Sequence, residues 1–206
     1  MTKELPHLKF KLLLIGDTAV GKTSMILKYT DNKFPDTHIA TIGVEYKTKA
    51  ICTDKYKITL NIWDTSGQER FKSITKSFFR NTNGVLFVYD ITNRVTFSNV
   101  KNWIKDSEML GKFDSIICGN KIDLDSKREV KFDALKEYGL KQKIPFIETS
   151  AKTGDKIDEA FKMIAEQIIK GRSDEELKKE FGTDQSEGFS LQKCQKKQKE
   201  SKKCCK

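Results

Sequence analysis

The chain has 206 residues, a formal net charge of +10, 37% apolar residues and 33% charged ones. That length suits one ordinary domain with a tail. No apolar stretch approaches the roughly 18 residues that a spanning helix needs, which excludes a transmembrane function. Charged residues precede the first strand pattern, so no signal peptide is expected, and the five cysteines are expected to be reduced thiols in a cytosolic chain. Cysteine spacing suggests no zinc site, and His7 and His38 stand alone.

In chain order, Phe10 to Ile15 is an apolar run closed by Gly16 and reads as a buried strand. Met25, Ile26 and Tyr29 follow at helical spacing over residues 22 to 30. Val44 to Thr53 alternates, as does Tyr56 to Trp63, with Asp54-Lys55 as a hairpin turn between them. In the second of these strands Ile58, Leu60 and Ile62 share one face and Trp63 points to the other.

Gly84 to Tyr89 is almost wholly apolar, as a central strand should be. Phe97, Val100, Trp103 and Ile104 mark a helix, Ser115 to Cys118 a strand, residues 131 to 141 a helix, and Pro145 to Ile147 the start of a last strand. Ile157, Phe161, Ile164 and Ile168 outline a final amphipathic helix. Strands alternating with helices predict an α/β fold: a six-stranded, mostly parallel sheet with one antiparallel edge strand and helices on both faces. Beyond about residue 171 the chain is mostly Lys, Glu, Gln and Ser, so residues 1–171 are expected to form the domain and 172–206 a flexible basic tail.

Gly16-Asp17-Thr18-Ala19-Val20-Gly21-Lys22-Thr23 matches G-x-x-x-x-G-K-[ST] between a strand and a helix. Glycines let the backbone curl until its N–H groups reach phosphate oxygens, and the helix N-terminus adds unpaired amides. Lys22 supplies a point charge to the outer phosphates, and the Thr23 hydroxyl can ligate Mg²⁺. Asp64, ending an apolar strand, can hold the same ion through a water. Gly67 can swing its N–H to the terminal phosphate, Gln68 can orient an attacking water, and Thr41 could complete the metal shell.

Together with Ile42-Gly43-Val44-Glu45-Tyr46, Trp63-Asp64-Thr65-Ser66-Gly67-Gln68-Glu69-Arg70-Phe71 and Val88-Tyr89-Asp90-Ile91-Thr92, these motifs resemble the Ras superfamily of small GTPases, and within it the Rab family. The resemblance covers residues 8 to about 171. It implies a P-loop GTPase domain in which Asp17, Thr18, Ala19, Val20, Gly21, Lys22, Thr23 and Ser24 wrap the phosphates of GTP or GDP. It implies Lys22, Thr41 and Gln68 as catalytic residues, Thr23, Thr41 and Asp64 around Mg²⁺, and Phe34 against the nucleotide. Residues 35 to 45 and 65 to 80 would be switch I and switch II, held by the γ-phosphate through Thr41 and Gly67. Tyr46, Trp63 and Phe78 would form an aromatic effector patch. Ser66 stands where the family usually has Ala, and His38 where it frequently has Tyr.

Asn120-Lys121-Ile122-Asp123 matches N-K-x-D after the fifth strand. A carboxylate can accept the N1 and 2-amino hydrogens of guanine together, and adenine would leave Asp123 unpaired. Lys121 can lie over the base, and Asn120 can tie this loop to the P-loop. Ser150-Ala151-Lys152 follows the last strand; the resemblance implies an Ala151 N–H to the guanine O6 and Lys152 packed on the base.

From Ser190 onward seven Lys face one Glu, with no aromatic ring on which a nucleic-acid base could stack, so a membrane surface is the expected partner and nucleic acid is not. Cys204-Cys205 resembles the doubly prenylated cysteine pair of Rab proteins, and two lipids anchor where one does not. A lipid-anchored monomer on the cytoplasmic face of endomembranes or the plasma membrane follows, with a cytosolic pool. Its partners would be an exchange factor, a GTPase-activating protein, a GDP-dissociation inhibitor and effectors in vesicle-mediated trafficking. The alternatives are a signalling switch outside trafficking, a GTP-binding scaffold with negligible hydrolysis, and another P-loop class such as a nucleotide kinase or ATPase.

Overall fold

The computed structural model describes residues 5–35, 44–65 and 79–182, with the backbone only at 44 and 45. Thr41, Gly67, Gln68, Phe78, Cys204 and Cys205 lie outside the described residues, as do His38, Ser66 and Cys194.

The strands are β1 (His7–Ile15), β2 (Val44–Cys52), β3 (Lys57–Thr65), β4 (Gly84–Asp90), β5 (Asp114–Asn120) and β6 (Phe146–Glu148). The helices are α1 (Lys22–Asp31), α2 (Arg94–Glu108), α3 (Phe132–Gln142), α4 (Ile157–Ile169) and α5 (Asp174–Phe181), with a short 3₁₀ segment over Ile122–Lys127. One sheet orders them β2-β3-β1-β4-β5-β6. Its pairings are parallel except β2 with β3, so the antiparallel strand sits at the edge, as the hairpin pattern predicts.

Because β1 and β4 lie inside a sheet covered on both faces, their residues have no solvent side. Leu12 to Ile15 are buried without alternation, and so is all of β4. One face packs Leu8, Phe10, Leu12 and Leu14 with Met25 and Ile26 of α1 and Phe161, Ile164 and Ile168 of α4. Tyr29 stacks on Phe161 there, with ring centroids 3.9 Å apart. The other face packs Leu13, Ile15, Val85 and Phe87 with Phe97, Val100 and Ile104 of α2 and Leu135 of α3. Ile58, Leu60 and Ile62 join the first face, while Trp63 packs against the second, as the strand alternation requires.

The boundary expected at residue 171 falls between α4 and α5, and the described chain continues through α5. Ser173 and Glu176 form a capping box at its start, and Leu177 and Phe181 are buried against the first face. Phe181 meets Phe10 edge-on at 5.2 Å, and Gly182 bridges to Leu8 of β1. The Tyr56 hydroxyl donates to Asp174, tying the β2–β3 hairpin to the start of α5. Composition hid this helix because it has few apolar residues, but those fall on the side that meets β1. The expected reduced state holds for the buried Cys118, which is free.

Candidate functional site

The parallel pairing brings the carboxyl ends of β1, β3, β4, β5 and β6 to one edge of the sheet, and the sequence motifs follow those ends. Open α/β sheets bind ligands at this edge. Residues 16–21 leave β1 and turn into α1. A Cβ on Gly16 would come 2.1 Å from the Val88 carbonyl oxygen, so the loop passes β4 only because that side chain is hydrogen. Gly21 caps α1 at φ 97°, with no side-chain cap, which leaves the first amides of the helix to an incoming group.

Lys22 turns back into the loop. Its Nζ donates to the carbonyls of Gly16 at 2.9 Å and Asp17 at 2.8 Å. The side chain is buried, and loss of water lowers the ammonium pKa to about 8, against the opposing pull of Asp64 and Asp17. A buried cation under such strain is poised to be stabilised by phosphate. One residue on, the Thr23 hydroxyl donates to Asp64 Oδ2 at 2.5 Å. Two of the three expected metal-holding side chains, 41 residues apart in sequence, therefore touch. The Thr65 hydroxyl donates to the Leu14 carbonyl at 2.6 Å and holds the end of β3 against β1.

On the other side of the P-loop, Asn120 is fully buried between three segments. Its amide donates to the Val20 carbonyl at 2.9 Å, and its Oδ1 accepts from the Ala151 N–H at 3.1 Å and Thr149 Oγ1 at 3.4 Å. The expected tie between this loop and the P-loop is present. The Ala151 N–H, expected to meet the guanine O6, donates to Asn120 in this structure. Asp123 is exposed, and one carboxylate oxygen accepts from Ser150 Oγ at 2.6 Å, which orients it. Lys121 adopts a left-handed backbone at φ 73° and its Nζ pairs with Asp90 Oδ2 at 2.7 Å. Lys152 is exposed, and Phe34, just past α1, is 43% exposed.

Tyr46 and Trp63 pair across β2 and β3, with ring centroids 5.0 Å apart, and Tyr46 is 51% exposed rather than core. Three residues at the site carry no local sequence signal of their role. Asp90 holds Lys121, while Asn99 and Trp103 of α2 bond the Asp17 carboxylate at 2.7 and 2.9 Å. Their partners are 82 and 86 residues away for α2, so spacing along the chain does not reveal them.

The Ras family model matches residues 11–170. The chain belongs to the Ras family. It is 46% identical over 162 residues to Ras-related protein Rab-1C of Dictyostelium discoideum, covering 78% of this chain and 81% of that one. Identity is 42% over 172 residues with Ras-related protein Rab-13 of Canis lupus familiaris, covering 82% and 84%. With GTP-binding protein YPT1 of Saccharomyces cerevisiae it is 40% over 179 residues, covering 86% of each. This is a Rab-type small GTPase, an enzyme that converts GTP and water to GDP and phosphate. Among the described residues of the GTPase no helix is long and apolar enough to cross a membrane.

Proposed function

We propose that this GTPase is a switch in vesicle-mediated membrane trafficking, recruiting effectors while GTP is bound and releasing them after hydrolysis. The observation that supports this reading best is the meeting, at one sheet edge, of the buried Lys22, the Thr23–Asp64 contact and the Ser150-oriented Asp123. The first two suit a triphosphate with a divalent cation, and the third suits guanine.

In this reading the amides of residues 17–24 and Lys22 bind the β- and γ-phosphates, and Phe34, Lys121 and Lys152 enclose the base and ribose. Asp123 accepts the N1 and 2-amino hydrogens, with Asn120, Ser150 and Ala151 fixing its loop. Thr23, Asp64 and Thr41 would hold Mg²⁺. The ion, when bound, neutralises charge on the phosphates. Gln68 positions a water for in-line attack on the γ-phosphorus; the bond to the β-phosphate oxygen breaks and phosphate departs. The sequence has no clear internal arginine finger, a residue worth about 10³–10⁵ in rate, so turnover is slow until a GTPase-activating protein supplies one.

Loss of the γ-phosphate releases Thr41 and Gly67, and effectors that read Tyr46, Trp63 and Phe78 dissociate. An exchange factor reloads GTP, and a GDP-dissociation inhibitor carries the prenylated form. Residues 1–171 hold the switch, α5 extends it, and the later tail anchors it through prenyl groups on Cys204 and Cys205 with lysines against anionic lipid. The protein works as a monomer on the cytoplasmic face of a membrane and binds no nucleic acid.

Single-turnover hydrolysis of GTP by purified protein, with ATP competition and with Mg²⁺ chelated, tests the chemistry. GTP turnover unaffected by excess ATP and abolished by chelation is expected. A tagged protein beside its Cys204→Ser/Cys205→Ser form tests the anchor, which should become diffuse in cells.

A further inference from the structure

Asp17 places a carboxylate inside a loop built to receive a polyanion. Left to rotate, that charge would repel the phosphates. It is held by two side chains of α2 instead. Asn99 Nδ2 donates to Asp17 Oδ2 at 2.7 Å, and Trp103 Nε1 donates to Oδ1 at 2.9 Å. Asn99 and Trp103 are four residues apart on α2, hence on one face of that helix. The carbonyl of the same Asp17 accepts from Lys22 Nζ at 2.8 Å. One residue of the phosphate loop is thus gripped at its carboxylate by α2 and at its backbone by the phosphate-binding lysine.

α2 itself is well seated. Phe97, Val100 and Ile104 are buried against the sheet, and the helix starts with an Asn93 side chain that accepts from the Val95 amide. Beyond the gripped residue the loop is less supported: Thr18 and Ala19 are exposed, and Ala19 has φ 65°, which its methyl group disfavours. The α2 contacts are therefore placed to hold the loop in shape and its negative charge against α2.

We propose that Asn99 and Trp103 are positioning residues for nucleotide binding, acting through Asp17 to keep the phosphate loop open to a polyanion and coupling it to α2. The proposal rests on the guanine-nucleotide reading above and goes beyond it by assigning a role to a helix outside the P-loop. Charge-assisted bonds to a carboxylate are the strong kind, so their loss should be legible in nucleotide exchange.

The test is the dissociation rate of a fluorescent methylanthraniloyl GDP from the full chain with Mg²⁺ present, with thermal unfolding measured beside it. Asn99→Asp sets two carboxylates against each other and should speed release about tenfold or more, the effect of one bond of this strength. Asp17→Asn restores a donor–acceptor match, so Asp17→Asn/Asn99→Asp should return release to within about threefold of the parent, whereas a repacking defect in α2 would not be rescued. Asn99→Ala/Trp103→Phe should also release faster, and adding Asp17→Asn to that pair should recover part of the loss by removing the freed charge. Release rates within about twofold of the parent in every variant, whatever the melting temperatures, overturn the proposal. A parent chain that holds no GDP overturns both this proposal and the reading beneath it.

Discussion

The Asn120 side-chain amide donates to the Val20 carbonyl across 100 residues of sequence, while its oxygen accepts from the Ala151 N–H. One buried side chain thereby joins the phosphate loop to both base-recognition loops. A Cβ on Gly21 would lie 2.4 Å from the Asn120 amide nitrogen, so the fit depends on the glycine as well as the asparagine.

Asn120→Ala should therefore uncouple the pocket. It leaves the Val20 carbonyl and the Ala151 amide without these partners, and each unsatisfied buried group costs about 1–3 kcal/mol. Denaturant unfolding should lose about 2–4 kcal/mol, and GDP release should quicken in the same variant. An Asn120→Ala protein as stable and as slow to exchange as the parent would contradict this.

Asp123→Asn changes the base preference. The carboxylate accepts from Ser150 and is expected to accept from guanine N1 and its 2-amino group. An amide cannot accept both hydrogens, so GTP binding should fall by roughly 10²-fold or more while xanthosine triphosphate binding rises. Competition titration of the two nucleotides reads the switch, and an undiminished preference for GTP would remove Asp123 from the base site.

The α5 helix contributes stability without touching the nucleotide. Leu177 is fully buried and Phe181 lies edge-on to Phe10 of β1. Leu177→Ala should cost about 2–5 kcal/mol and Phe181→Ala about 3–5 kcal/mol in unfolding free energy. Nucleotide release should change little, because these residues pack near the start of β1 and the pocket lies past its end. Equal stability after cutting the chain at residue 171 would show that α5 contributes nothing.

Tyr56 should give the hairpin–α5 junction a pH signature. The hydrogen bond to the Asp174 carboxylate, then burial, raises its phenol from 10.0 to about 12. Because the folded value lies above the unfolded one, the phenol's stabilising contribution is full below pH 10 and is lost as pH rises through about 12. Ultraviolet titration should show one tyrosine ionising near the upper value, absent in Tyr56→Phe. The stability gap between parent and variant should close over the same interval.

Much of this molecule is written locally. The apolar runs of β1, β4 and β5, the Gly–Lys–Thr turn into α1 and the N-K-x-D loop each depend on neighbours in sequence, so period, turn chemistry and motif spacing determine them. Even the turn of Trp63 to the face opposite Ile62 follows from strand alternation. The chain ends of parallel strands fall on one side, so the order of motifs also foretells that they share a pocket.

Only the folded chain decides what meets across it. Nothing near Asp17 in sequence announces Asn99 or Trp103, nothing near Lys121 announces Asp90, and the Ala151 amide turns to Asn120 rather than to open space. Helix α5 escaped a composition reading because its anchoring residues, Leu177 and Phe181, acquire their meaning only against Leu8 and Phe10. Local patterns specify which segments form, because they act through the backbone's own periodicity. Contacts between segments depend on packing and register, which exist only once the sheet has assembled.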